Sequence, residues 1–355
     1  MEKKFMKGNE AIAEAAVRAG CRFFAGYPIT PQNEIPEYLA RRLPEVGGSF
    51  VQGESEIASV SMVFGAASVG TKAMTSSSSP GISLKTEGIS ALAAAELPAV
   101  IINMTRGGPG VGSIQAAQMD YFQSTRAMGH GGHRLLVYAP YTVQEAVDLT
   151  YKAFAKAEEY RSPVLLCPDG CIGSMMEPVV LPEMLPVKPM EVKTMATELI
   201  NPKRKVVTTL LLPEETQEKF NLRKNEVYKK WIECEEMVEE YMLEDAEVLI
   251  VAYGTTARVA KEAIGNLRRD GIKVGMIRPI TLFPFPYDSF EKVDYSKLKG
   301  VLCAEMSIPC QLIDDVKIGV GRRAEISTLT HAGGIIINDE EVYDAVMRIA
   351  KGGNC

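Results

Sequence analysis

Apolar positions in the first half of the chain alternate between two periods. "KGNEAIAEAAVRAG" places them at helical spacing, and "CRFFAGYPIT" follows as a short continuous run of the kind a buried strand shows. The exchange then repeats. "PQNEIPEYLARRL" reads as a helix and "SFVQGE" as a strand; "SEIASVSMVFGAASVG" is a helix of small residues and "TKAMTSSSS" a strand. "ISALAAAEL" reads as a helix and "PAVIINMTR" as a strand, and the helix "TVQEAVDLTYKAFAKAEEY" separates the strands "RLLVYAP" and "PVLLCPDG". Such β–α alternation predicts a parallel sheet covered by helices on both faces.

The pattern breaks over 186–244. "EMLPVKPMEVKTMATELINPKRK" is proline-spotted and irregular, and the charged stretch after it has helical character, with Trp231, Met237 and Tyr241 marking a side that packs on something. "AEVLIVAYGTTARVAKEAIGNLRRDGIKVGMIRPITLFPFP" restarts the strand–turn–helix–strand order, continued by "VLCAEMS", "AEISTLTH" and "EVYDAVMRIAK". The expectation is an α/β protein with two parallel-sheet domains, 1–185 and 245–355, joined by a linker and charged helical arm at 186–244.

Composition narrows the class. Of 355 residues, 46% are hydrophobic and 24% charged, as in ordinary globular proteins. A net charge of −6 gives no electrostatic reason for a nucleic-acid or membrane partner. No run of about 18 apolar residues occurs, and the start "MEKKFMKGNEAIAEAA" is charged, so a cytoplasmic protein is expected. The seven cysteines form no C-x2-C pair and the three histidines no H-E-x-x-H, so a metal site on this chain is not expected.

Four stretches carry candidate chemistry. In "GYPITP", Pro31 suits the first position of a helix, which makes Thr30 its N-cap and puts Glu34 in the first turn. Either this is structural capping, or the hydroxyl and the positive helix end serve an anionic ligand. In "GESEIASV", Glu56 opens a helix of small apolar residues: a carboxylate placed for the helix dipole, or a desolvated carboxyl able to share a proton with a ligand nitrogen. "SSSSPG" is a polar loop or a ligand-lining turn, and lacks the Gly-Lys-Ser ending of a P-loop. In "NMTRGGPG", Arg106 stands where doubly wound sheets bind ligands, and its planar fork suits either a substrate carboxylate or a surface ion pair.

Taken in order, "GYPITP", "GESE", "SSSSPG" and "TRGGPG" resemble the α subunit of 2-oxoacid:ferredoxin oxidoreductases. The wording of "MKGNEAIAEAAVRAGCRFFAGYPITPQNEIPEYL" and "SSSSPGISLKTEGIS" most resembles the 2-oxoisovalerate (3-methyl-2-oxobutanoate) type, with the 2-oxoglutarate type close behind. The resemblance implies that 1–185 is a pyrimidine-type thiamine diphosphate domain and that 245–355 is a transketolase C-terminal-like domain. It implies that Glu56 is the catalytic glutamate that hydrogen-bonds the coenzyme's aminopyrimidine ring, and that Thr30 and Arg106 bind the substrate. Ser79 and Gly81 are implied to lie at the coenzyme, with Glu54 and Asp120 nearby.

The family's diphosphate and Mg2+ motif, G-D-G followed by an Asn pair, is absent. "PDGCIG" at 168–173 has no such pair, so Asp169 reads as a turn residue. The implied assembly therefore adds a β subunit with the diphosphate site, Mg2+ and a [4Fe-4S] cluster, a γ subunit, and a ferredoxin-like δ subunit. Coenzyme A is the implied co-substrate and ferredoxin the acceptor. Two other readings stay open: a non-oxidative thiamine-dependent decarboxylase or synthase, and a non-catalytic assembly subunit.

Overall fold

The computed structural model describes residues 3–126, 128–186 and 206–352. Most of the proline-spotted linker, 187–205, lies outside the described residues.

The chain runs β1 (Lys3–Lys7), α1 (Gly8–Arg18), β2 (Phe23–Gly26), α2 (Glu34–Glu45), β3 (Ser49–Gln52), α3 (Glu56–Ser68), β4 (Ala73–Ser77), α4 (Ser79–Ala94) and β5 (Val100–Asn103). It continues through α5 (Tyr121–Thr125), β6 (Leu136–Tyr138), α6 (Val143–Tyr160), β7 (Val164–Leu166), α7 (Gly170–Ser174), β8 (Met176–Val180) and α8 (Glu214–Cys234). The last part comprises β9 (Val238–Tyr241), β10 (Val248–Val251), α9 (Gly254–Arg269), β11 (Val274–Pro279), β12 (Thr281–Phe283), β13 (Gly300–Glu305), α10 (Ile313–Val320), β14 (Ile326–Thr330) and α11 (Asp339–Ala350).

A seven-stranded sheet has the order β12-β6-β7-β5-β4-β2-β3, and a five-stranded sheet the order β14-β13-β10-β11-β9. Each is parallel apart from one antiparallel edge strand, β12 or β9. β1 and β8 make a small antiparallel ribbon. The short runs "VIIN", "LVY" and "VLL" are wholly buried, as expected for strands covered on both faces. No helix among the described residues is long and apolar enough to cross a membrane.

The two sheets exchange strands across residue 244: β9, from the expected arm, joins the second sheet, and β12, from the C-terminal half, joins the first. The arm is also more than a solvated helix. Trp231 is fully buried, with its ring 5.6 Å from that of Tyr160.

Two helix starts differ from the sequence expectation. α2 begins at Glu34 rather than Pro31. Asn33 Oδ1 accepts the Ile29 N–H (2.9 Å) and closes a turn over 29–33, so Thr30 is an exposed turn residue and not an N-cap. α4 begins at Ser79, ten residues before "ISALAAAEL", so the serine run is a strand end and a helix start rather than a loop. Its buried face, Ile82, Lys85, Ile89 and Leu92, runs from the first turn, and Pro80 is tolerated there because first-turn N–H groups need no helical partner.

Candidate functional site

Thr30, Glu56, Ser79 and Arg106 follow the carboxyl ends of β2, β3, β4 and β5, which are neighbours in the order β5-β4-β2-β3. That edge is where parallel α/β sheets present ligand-binding loops.

Glu56 is the first residue of α3. Ser55 caps the helix by accepting the Ala58 N–H at 3.2 Å, which leaves the Glu56 side chain free of capping duty. The side chain is 6% exposed. Opposite it, the first turn of α4 carries Gly81, where a Cβ would lie 2.1 Å from Ser77 Oγ and 2.8 Å from Glu56 Oε1. Any side chain at 81 would therefore fill the space between Ser77 and the carboxylate. Ser77 Oγ and Ser78 Oγ are buried here without hydrogen-bond partners.

Lys85 lies one turn further along α4. Its ammonium donates to Thr75 Oγ1 at 2.7 Å. Burial pushes its pKa down to about 7, against the attraction of the Glu56 charge. This lysine was not singled out from the sequence. The signal was present, since 82, 85, 89 and 92 follow helical spacing, but it required α4 to begin at Ser79.

Ser79 ties the next part together. Its N–H donates to Asn103 Oδ1 (2.9 Å) and its hydroxyl to Asp120 Oδ2 (2.6 Å), while its Oγ accepts the Arg106 N–H (2.9 Å). Asn103 Nδ2 donates to the same Asp120 oxygen at 2.8 Å. Burial raises the Asp120 pKa despite these donors. Asp120 acts here by holding Ser79 and Asn103.

Arg106 is 5% exposed. Its guanidinium donates to the backbone carbonyls of Thr30 (2.7 Å) and Val111 (2.9 Å), and its Nε is buried without a partner. No ion pair involving Arg106 occurs among the described residues, so the surface ion-pair reading is set aside. Thr30 and Arg106 are thus brought together, but through the Thr30 carbonyl. Glu54 is exposed on the turn before α3.

Asp169 is not the turn residue that the sequence suggested but an extended residue that caps α7. Buried at the start of α7, its Oδ1 accepts the Cys171 and Ile172 N–H groups and the Thr255 hydroxyl, and its Oδ2 accepts the Thr255 N–H. It therefore joins the carboxyl edge of the first sheet to the start of α9 in the second. Among the described residues no group of three or more His, Cys, Asp or Glu side chains is placed to hold a metal ion. A cavity of about 1170 Å3 lies between 124–135, the segment before α8 and α8 itself, and none of Thr30, Glu56, Ser79, Gly81 and Arg106 lines it.

Residues 14–242 match the family described as "Pyruvate flavodoxin/ferredoxin oxidoreductase, thiamine diP-bdg", and residues 246–342 match "Pyruvate:ferredoxin oxidoreductase core domain II". The chain is 42% identical over 354 residues to the ketoisovalerate oxidoreductase subunit VorB of Methanothermobacter marburgensis, covering 100% of both. It is 38% identical over 371 residues to the 2-oxoglutarate synthase subunit KorA of Methanocaldococcus jannaschii, covering 98% of this chain and 100% of that one. Among solved structures, it resembles the 2-oxoglutarate:ferredoxin oxidoreductase from Magnetococcus marinus with 2-oxoglutarate, coenzyme A and succinyl-CoA bound, with TM-score 0.87 and 26% identity. That match covers 98% of this chain and 65% of the longer one.

Proposed function

The chain belongs to the pyruvate flavodoxin/ferredoxin oxidoreductase family, and from that premise we propose that it is the subunit of a 2-oxoacid:ferredoxin oxidoreductase that activates thiamine diphosphate and binds the substrate carboxylate. The favoured substrate is 2-oxoisovalerate, because the relative with the higher identity is a ketoisovalerate enzyme subunit. In the net reaction a 2-oxoacid and coenzyme A give acyl-CoA and CO2, and the electrons pass to ferredoxin.

The observation that carries this reading is the space between Glu56, Ser77 and Gly81. A buried carboxylate, a bare glycine and unpartnered hydroxyls suit a polar heterocycle that would hydrogen-bond there. When bound, thiamine diphosphate supplies the carbon nucleophile and the electron sink for loss of CO2. Glu56 would hold or share a proton at the aminopyrimidine ring, helped by its water-poor position. Ser79 and Gly81 would flank the ring from the first turn of α4. Arg106 would exchange a backbone-carbonyl contact for a charge-assisted bond to the substrate carboxylate, with Thr30 beside it on an exposed turn.

The diphosphate, Mg2+ and [4Fe-4S] clusters fall to partner chains in this proposal, because no residue here forms their binding motif. These partners are a β subunit, a γ subunit and a ferredoxin-like δ subunit, assembled in the cytoplasm. The proposed division of labour follows 1–185 for the coenzyme and 245–355 for the transketolase C-terminal-like unit, with 186–244 linking them.

The test is a kcat/KM panel over 2-oxoisovalerate, 2-oxoglutarate and pyruvate with the assembled complex, reading acyl-CoA formation and ferredoxin reduction together. Highest kcat/KM on 2-oxoisovalerate supports the proposal, and preference for 2-oxoglutarate moves it to that type. Decarboxylation by the isolated chain without ferredoxin would overturn the shared-site reading.

A further inference from the structure

The turn that follows β13 brings two thiols together. Cys303 is fully buried in the strand, Cys310 is partly exposed on the turn, and their Sγ atoms are 3.6 Å apart. No other two cysteines among the described residues are in such contact. The hydrogen bond with Cys303 holds the Cys310 thiol below its ordinary range, against the effect of burial. The accessible sulfur of the pair is therefore also the one that ionises more readily, and the buried sulfur lies within reach to resolve it.

We propose that Cys303 and Cys310 form a reversible oxidation site that peroxide closes to a disulfide. The Cys310 thiolate attacks one peroxide oxygen, the O–O bond breaks, and after protonation a water leaves, with Cys310 now a sulfenic acid. The Cys303 sulfur then attacks the Cys310 sulfur. The S–O bond breaks, and a second water departs carrying the Cys303 proton. Two thiols lose two electrons and two protons, and peroxide is reduced to two waters. A dithiol reductant reverses the change by exchange.

Closure has a path to the candidate site. Bonding brings the sulfurs from 3.6 Å to about 2.0 Å, and in this proposal the turn that carries Cys310 shifts with it. That turn also carries Gln311, whose side chain donates to the Met119 carbonyl (2.6 Å) and accepts the Phe122 N–H (2.7 Å). At its start, the Met306 N–H donates to Gln118 Oε1 at 2.9 Å. Asp120, which holds Ser79 and Asn103 beside Arg106, lies in the segment so gripped. Oxidation therefore loosens 118–122.

Peroxide treatment of the full-length chain, followed by alkylation and peptide mapping, is the test. A Cys303–Cys310 crosslink that dithiothreitol removes supports the proposal, and both thiols alkylating as they did before peroxide overturns it. In Cys303→Ser, dimedone should label Cys310 after peroxide; absence of label overturns the assignment of Cys310 as the attacking thiol. Amide exchange at Phe122 should rise by about tenfold or more in the crosslinked protein, as expected for local opening. Unchanged exchange there overturns the link to the site.

Discussion

At the carboxyl edge of the seven-stranded sheet, buried polar atoms lack partners: Ser77 Oγ, Ser78 Oγ and Arg106 Nε. At the facing edge of the five-stranded sheet, the same kinds of group are fully engaged. Asp169 takes both donors of Thr255, Gln118 bridges Thr256, Tyr253 and Met306, and Glu305 takes the Gln311 and Leu312 N–H groups. Among the described residues of 248–312 the one buried side-chain polar atom without a partner is the Tyr295 hydroxyl, which precedes the amino end of β13, away from this edge. Since an unmet buried hydrogen bond is costly, a fold retains a cluster of them where something else completes them. One edge is a lock between the sheets and the other is prepared for a ligand.

Breaking the lock should have the largest effect on stability. Asp169→Ala leaves the Thr255, Cys171 and Ile172 donors without their acceptor, and the expected loss is about 3 kcal/mol or more, read as a lower denaturation midpoint at unchanged slope. A loss under about 1 kcal/mol would mean that the lock is decorative. On the open edge, Arg106→Ala should raise KM for the 2-oxoacid by roughly 30- to 150-fold, equivalent to about 2–3 kcal/mol, with a smaller change in kcat. Equal KM values across several 2-oxoacids would contradict its role.

Lys85 sharpens the comparison with a pH-dependent effect. In the folded chain it loses its proton near pH 7, whereas an unfolded lysine keeps it to about 10.5. The unfolded state binds more protons across that window, so this group makes stability rise with pH from about 7 to about 10. Lys85→Met should lose that rise, which paired urea titrations at the two ends of the window would read. An identical pH dependence in both proteins would show that the lysine is not desolvated.

Much of this was legible in the sequence because it rests on local pattern. Alternating apolar runs marked the strands, and Glu56 at the head of a small-residue helix is where it was expected. The misreadings came from tertiary contacts that outweigh local capping signals. Thr30-Pro31 looks like a cap and first helical residue, yet Asn33 turns back to Ile29 and delays α2. The serine run looks like a loop, yet Asn103 accepts the Ser79 N–H and α4 starts at once. Lys85 was hidden by that error, and the pairing of Asp169 with Thr255 spans 86 residues, beyond any local pattern.

The central claim is that Glu56 works on the coenzyme while the lock holds the two sheets of the chain together. In the assembled complex, exchange of the thiamine diphosphate C2 proton with solvent deuterium, followed by NMR in wild type and Glu56→Gln, tests this most directly. The account predicts that exchange slows by about a hundredfold or more while the subunits still co-purify. Near-wild-type exchange in the intact variant complex would contradict it.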